Sequence, residues 1–286
     1  MTIRQLPAAL AARPCAGVTF DLPQAALARW NPAIQAADRD DATISILDPI
    51  GYDPWAGDGV TAKRISTTLR ALAGADVKVV INSPGGDMFE GLAIYNLLRD
   101  YSGKVTVNVV GVAASSASII AMAGDEIQIG RSAFLMIHNC WVVAVGNKND
   151  LRASADTIEP FDRSMGDIYS ARTGLDAKAV EKLMDAETWL GGSDAIEQGF
   201  ADALLPADQI TEGAGNGTNA ARALDVALAK GGMPRSERRR LLSEIKGKPS
   251  AALDGTPGAA DAAIPAFTSA EIVRAFGRFE SAALTL

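Results

Sequence analysis

The sequence is poor in the residues that build metal centres and disulfide frameworks. Its 286 residues include two cysteines, Cys15 and Cys140, and a single histidine, His138. Two distant cysteines outline no disulfide scaffold and fit a reducing compartment. No group of histidine, cysteine and acidic residues stands at ligand spacing, so neither a metal nor another cofactor is expected. A GxxxxGK[ST] phosphate loop is missing, so the chain is not expected to hydrolyse ATP itself. Positive charge is in deficit, with 27 Lys and Arg against 34 Asp and Glu, a net charge of −7, which argues against a nucleic-acid partner. Long unbroken apolar runs are also missing. The longest weakly polar stretch, 105–124, carries Asn108, Ser115, Ser116 and Ser118 with internal glycines, and reads as a buried strand and helix rather than a membrane span. The first 20 residues are alanine-rich, but Arg4, Pro7, Arg13 and Pro14 interrupt them, so no secretory signal is expected.

What is present is a chain 48% hydrophobic, able to bury a sizeable core with appendages to spare. From residue 42 onward, β-branched runs alternate with amphipathic ones. Strands are expected at 43–47, 77–82, 104–110, 126–129 and 133–138, and helices at 59–72, 89–99, 115–123 and 147–173. This order predicts an α/β fold of parallel strands joined by right-handed crossovers. Residues 1–42 form an N-terminal arm, its 21–42 part loosely ordered, with Trp30 anchoring it on the domain or on a neighbouring subunit. The main domain spans 43–204, and a Gly-rich polar linker follows at 205–220. The remainder, 221–286, is a largely helical or disordered extension. It has a basic helix at 234–245, an Ala-, Gly- and Pro-rich stretch at 248–265, and a capping box, Thr268-Ser-Ala-Glu271, opening a last amphipathic helix.

The stretch that carries chemistry is GVAASSASIIAMAG, 111–124. Ser115 falls where a strand gives way to a helix, where unpaired backbone N–H groups favour the negative charge that develops in acyl transfer. Taken alone, Ser115, Ser116 and Ser118 also read as an N-cap and small packing residues. His138, at the end of the run AFLMIH, is the one base near neutral pH that the sequence offers. The turn Ile81-Asn-Ser-Pro-Gly85-Gly86 joins a buried strand to a helix, and glycines there can present bare N–H groups to a ligand. Cys140 lies only two residues past His138, too close in the chain to receive a substrate between them.

Together, INSPGG at 81–86, GVAAS at 111–115, LMIH at 135–138 and the segment from Thr173 to Leu204 resemble the Clp peptidase family of serine proteases. The resemblance implies the ClpP/crotonase-type fold. It makes Ser115 the nucleophile, His138 the base, and Gly86 and Ser116 the oxyanion donors. The family's third triad position falls on Leu183, so the acid is assigned to Asp185, with Glu187 second. The resemblance also implies a homo-oligomeric ring, with contacts along 147–173. The extension and the phrases GLAIYNLLRDYSGKVTV, SIIAMAGDEI and MDAETWL look most like the head maturation (prohead) proteases of tailed bacteriophages. That branch implies capsid and scaffold proteins as substrates, and the immature capsid in the host cytoplasm as the location. Two other expectations stand beside it. One is a proteolytic subunit serving a partner ATPase; the other is a catalytically silent capsid scaffold protein on the same fold.

Overall fold

The computed structural model describes residues 6–8, 22–36, 42–53, 58–206 and 210–212, with isolated positions between 224 and 241. The chain divides into two compact units, Met1–Ile245 and Lys246–Leu286, and all described residues lie in the first. The stretch at 248–265 and the helix expected from Thr268 lie outside the described residues, as do most positions of the linker and of the basic helix expected at 234–245.

In chain order the elements are α1 (Gln24–Arg29), β1 (Ile34–Ala36), β2 (Thr43–Ile46), β3 (Gly51–Asp53), β4 (Asp58–Val60), α2 (Ala62–Leu72), β5 (Val77–Ser83), α3 (Met88–Arg99) and β6 (Val105–Ala114). There follow α4 (Ser116–Ala121), β7 (Glu126–Gly130), β8 (Phe134–Ile137), α5 (Lys148–Thr173), α6 (Ala177–Asp185), β9 (Thr188–Gly191), α7 (Gly192–Glu197), β10 (Ala203–Leu205) and β11 (Ile210–Glu212). The main sheet runs β10-β7-β6-β5-β2, all parallel, as the alternating pattern predicts. β5 and β6 are buried along almost their whole length, which explains their continuous β-branched runs. Helices α3 and α4 share the core with the sheet through Leu92, Tyr95, Ile119 and Ile120.

Strand β6 organises the site. It is expected to end at Val110 but continues to Ala114, because the small residues Gly111, Ala113 and Ala114 pack as closely in a strand as in a turn. Its first half pairs with β7, from Thr106↔Glu126 to Val109↔Ile129. Its second half pairs with β8, from Val112↔Phe134 to Ala114↔Met136. Antiparallel β9 then closes on β8. One strand thus meets two partners in succession, and the register brings the ends of β6 and β8 side by side. Ser115 follows the first end and His138 the second.

Two expectations are corrected by tertiary pairing. The helix expected from residue 59 begins at Ala62, because Asp58–Val60 pairs with Gly51–Asp53 and Thr61 caps the helix by accepting from the Arg64 N–H. The arm is ordered in its described part rather than loose. The buried Trp30 indole N–H donates to the Asn82 carbonyl at 2.9 Å, so Trp30 anchors on its own domain. The buried Asn82 amide donates to the carbonyls of Asn31 (2.7 Å) and Ile34 (3.1 Å) and accepts from the Val112 N–H at 3.1 Å. A buried amide left unpaired costs about 1–3 kcal/mol, so this one side chain ties arm, β5 and β6 together. At the opposite end, buried Arg172 of α5 pairs with Asp202 and donates to the Gly124 carbonyl, holding the end of that helix against the sheet. Among the described residues, no helix is long and apolar enough to cross a membrane.

Candidate active site

Ser115 stands at the turn between β6 and α4 with φ 57° and ψ −129°. A positive φ is costly for a residue with a Cβ, by about 1–3 kcal/mol, and such strain persists only where the surroundings impose it. Here they do. The Ser115 N–H continues the ladder by donating to the Met136 carbonyl at 3.0 Å, while its carbonyl already accepts from the Ser118 N–H of α4 at 2.9 Å. The side chain makes no N-cap hydrogen bond, which separates it from an ordinary helix-starting serine. Its Oγ lies instead 2.7 Å from Nε2 of His138. Gly85 makes room for this. A Cβ on Gly85 would stand 2.7 Å from Ser115 Cβ and 2.6 Å from the Ala114 carbonyl, and its φ of +90° also favours glycine.

Burial holds the His138 imidazole below its ordinary pKa, and the charge of Glu187 opposes that shift. The ring is therefore neutral at neutral pH and free to accept a proton at Nε2. Cys140, also on the cleft wall, has a thiol pushed up to about 12 by burial and by Asp162, so it stays protonated and does not compete as nucleophile.

The carboxylate assigned from the sequence as the acid, Asp185, makes its hydrogen bond beside the base rather than on it. Helix α6 runs unbroken to Asp185, whose Oδ1 accepts from Asn139 Nδ2 at 2.7 Å; among the described residues it makes no hydrogen bond to His138. Asp185 thus contacts Asn139, the residue that follows the base. Glu187, two residues on and held at φ 47°, is exposed and accepts from the Trp189 indole N–H at 3.4 Å; its charge only opposes the downward shift that burial gives the His138 imidazole. The acidic pattern of this segment marks both residues equally. The positive φ that redirects the chain after Asp185 leaves no mark in the sequence.

Gly86 and Ser116 flank the serine as bare N–H donors. Ile50 bridges Gly86 by donating to the Gly85 carbonyl at 2.8 Å and accepting from the Asp87 N–H at 3.0 Å. In such a parallel bridge the intervening residue turns its own N–H to the other side. Ser116 begins α4, and the first N–H of a helix has no intrahelical acceptor. Among the described residues neither N–H has an acceptor. Both residues, with Ser115 and His138, border an open cleft whose apolar wall includes Pro23, Met88, Trp141, Met165 and Tyr169. Sequence reasoning missed Pro23 and Tyr169, which come from the arm and the C-terminal part of α5. Among the described residues no group of histidine, cysteine and acidic side chains could hold a metal ion.

A serine whose oxygen lies 2.7 Å from an imidazole nitrogen, with two N–H groups that lack acceptors on the same cleft, is an arrangement that could support acyl transfer. Residues 57–208 match the family model described as Clp protease, more than half of the chain. The chain belongs to the Clp protease family, a family of serine peptidases. Its relatives include the ATP-dependent Clp protease proteolytic subunit 1 of Prochlorococcus marinus, 30% identical over 151 residues, covering 51% of this chain and 77% of that protein. The ATP-dependent Clp protease proteolytic subunit of Porphyromonas gingivalis is 31% identical over 181 residues, covering 60% of this chain and 80% of its own length. The subunit of the same name from Bacteroides fragilis is 31% identical over 156 residues, covering 52% of this chain and 74% of its own length. The mixed, mostly parallel sheet described above is the fold that this family membership implies.

Proposed function

We propose that the chain is a serine endopeptidase using Ser115 as nucleophile and His138 as base. The observation that carries the reading is the 2.7 Å contact between Ser115 Oγ and His138 Nε2 at a strained strand-to-helix turn. As Ser115 Oγ attacks a peptide carbonyl, its proton passes to His138 Nε2. The N–H groups of Gly86 and Ser116 receive the oxyanion. The proton then moves from His138 to the departing amine, and a water molecule, deprotonated by the same ring, attacks the acyl-enzyme; the ring returns that proton to Ser115 Oγ as the acid product leaves.

In this reading Glu187 stabilises the imidazolium by charge from an exposed position, while Asp185 acts through Asn139. The rate is then governed on the acid side by protonation of His138, with a midpoint below the ordinary imidazole value. Removing a negative charge makes the imidazolium harder to form. Glu187→Gln is therefore expected to move the acid limb of kcat/KM to lower pH and to reduce kcat by about three- to tenfold. The effect should shrink in high salt, because an exposed charge is screened. An acid limb unchanged in Glu187→Gln and displaced in Asp185→Asn would return the role to Asp185.

The substrates we propose are scaffold and capsid-protein segments of a tailed bacteriophage, cut without ATP inside the immature capsid in the host cytoplasm. Support comes from the phrases that resemble that branch and from the further segment carried beyond the family match at 208. We further place contacts between copies of a homo-oligomeric ring along α5. The apolar residues Trp141, Val145 and Leu151, exposed just before and within its first turns, support that placement. A second reading is favoured by the relatives' names, which describe proteolytic subunits of ATP-dependent proteases: this chain would then work with a partner ATPase. A fluorophosphonate probe with adduct mapping tests the common chemistry. Labelling at Ser115 is expected, and its loss in His138→Ala. A folded chain that does not label would favour the silent scaffold instead. Cleavage of purified scaffold protein without nucleotide, against cleavage only with an added ATPase, separates the two proteolytic readings.

A further inference from the structure

The Ser115 carbonyl is held more tightly than a helix start requires. It accepts from the N–H groups of Ser118 (2.9 Å) and Ile119 (3.4 Å), and also from the Ser118 hydroxyl at 2.6 Å. That hydroxyl lies 2.7 Å from the phenol of Tyr169, which comes from α5. The direction of this chain follows by elimination. A carbonyl oxygen only accepts, so the Ser118 proton points to Ser115; the Ser118 oxygen therefore accepts from the Tyr169 O–H. Tyr169 is 1% exposed, its ring rests on Phe200 with centroids 5.8 Å apart, and burial keeps its phenol protonated throughout the working pH range. Ser118 is fully buried.

The carbonyl of Ser115 and the N–H of Ser116 belong to one planar trans peptide unit and point in opposite directions. Fixing one end therefore aims the other. A carbonyl that accepts strong hydrogen bonds also polarises its peptide unit, making the N–H a better donor. We infer that Tyr169 and Ser118 are positioning residues that orient and strengthen the Ser116 N–H as an oxyanion donor, through the hydrogen-bond chain Tyr169 to Ser118 to the Ser115 carbonyl. This inference rests on the serine-peptidase reading above. Neither side chain touches the reacting atoms; both act through the backbone of the nucleophile.

The test compares wild type, Tyr169→Phe, Ser118→Ala and the double variant as full-length chains. Steady-state cleavage of a fluorogenic peptide gives kcat and KM, and fluorophosphonate labelling gives the reactivity of Ser115. Each single variant is expected to lower kcat and the labelling rate about tenfold, less than the loss from deleting an oxyanion donor outright. KM should stay within about twofold and the acid limb of the pH profile should not move. The double variant should be no slower than Ser118→Ala, because both residues act through one chain. Wild-type rates in Tyr169→Phe, losses that multiply in the double variant, or an effect confined to KM or to the acid limb would each overturn the inference. Should Ser118→Ala fail to fold, Tyr169→Phe carries the test, since it keeps the ring on Phe200. A wild-type chain that does not label at Ser115 overturns the underlying reading as well, whereas labelling at equal rates in wild type and variants overturns the positioning role alone.

Discussion

Ser115→Ala is expected to reduce peptide cleavage by about 10⁴- to 10⁶-fold while leaving the fold intact. The size follows from what one oxygen does at this position. It is the atom that forms the acyl bond, and the one whose proton His138 removes at 2.7 Å. Without it, the remaining donors can still bind a substrate carbonyl, but attack must come from water. Little else depends on the hydroxyl. It makes no cap bond to α4, and the turn is held by the Ser115 backbone through Met136 and Ser118. Alanine meets the same positive φ that serine already tolerates, so the melting temperature should stay within a few degrees of wild type. Activity retained at the wild-type level in purified Ser115→Ala would remove the assignment. A variant that is inactive and also unfolded would show that the hydroxyl has a structural role not visible in its contacts.

Gly86→Ala is expected to lower kcat by about 10²- to 10³-fold, the loss typical of one missing oxyanion donor, with a smaller change in KM. The backbone at Gly86 has φ +151°, outside the range that residues with a Cβ readily adopt. A Cβ there would lie 2.2 Å from the Ile50 carbonyl oxygen and 2.8 Å from the Ile50 nitrogen. Both are backbone atoms, so no side-chain rotation relieves the clash. The strand-to-helix turn must move away from Ile50, and the Gly86 N–H moves with it. A displacement near 1 Å is enough to cost about 10²-fold in a site that depends on positioning. The measurement is the kcat and KM split, together with the fluorophosphonate labelling rate, which should fall in parallel. Ile50 itself is 2% exposed in the core, so a modest drop in melting temperature should accompany the loss. Wild-type kcat in a folded Gly86→Ala protein would show that the oxyanion is held elsewhere.

The two variants probe different levels of construction. Ser115→Ala removes a reacting atom and leaves its frame; Gly86→Ala keeps every reacting atom and moves the frame. The relay from Tyr169 and the influence of Glu187 belong to the second kind, and their smaller expected effects reflect action through a peptide unit or through an exposed charge.

Local pattern carried much of this. The alternation of β-branched runs with amphipathic segments determined the α/β order, because strands buried on both faces must be apolar along their length and β5 and β6 are. The pair that the structure brings within 2.7 Å, Ser115 and His138, was also legible, since the chain has one histidine and one small-residue turn of the GVAAS kind. Long-range packing decided the rest. That β6 runs past Val110 and pairs first with β7 and then with β8 is a matter of partners, and it sets Ser115 beside His138. That residues 22–36 are ordered depends on Asn82, a buried amide more than 45 residues away whose hydrogen bonds the arm completes. The anchoring of the Ser115 carbonyl depended on a tyrosine 54 positions further along the chain, reached through Ser118. By itself the sequence determined which residues are candidates for the chemistry and in what order the elements run, because residue type and periodicity are local properties. Only the tertiary structure decided which of them meet, because backbone direction at a strained turn and contacts between distant segments are set by the packing of the whole domain.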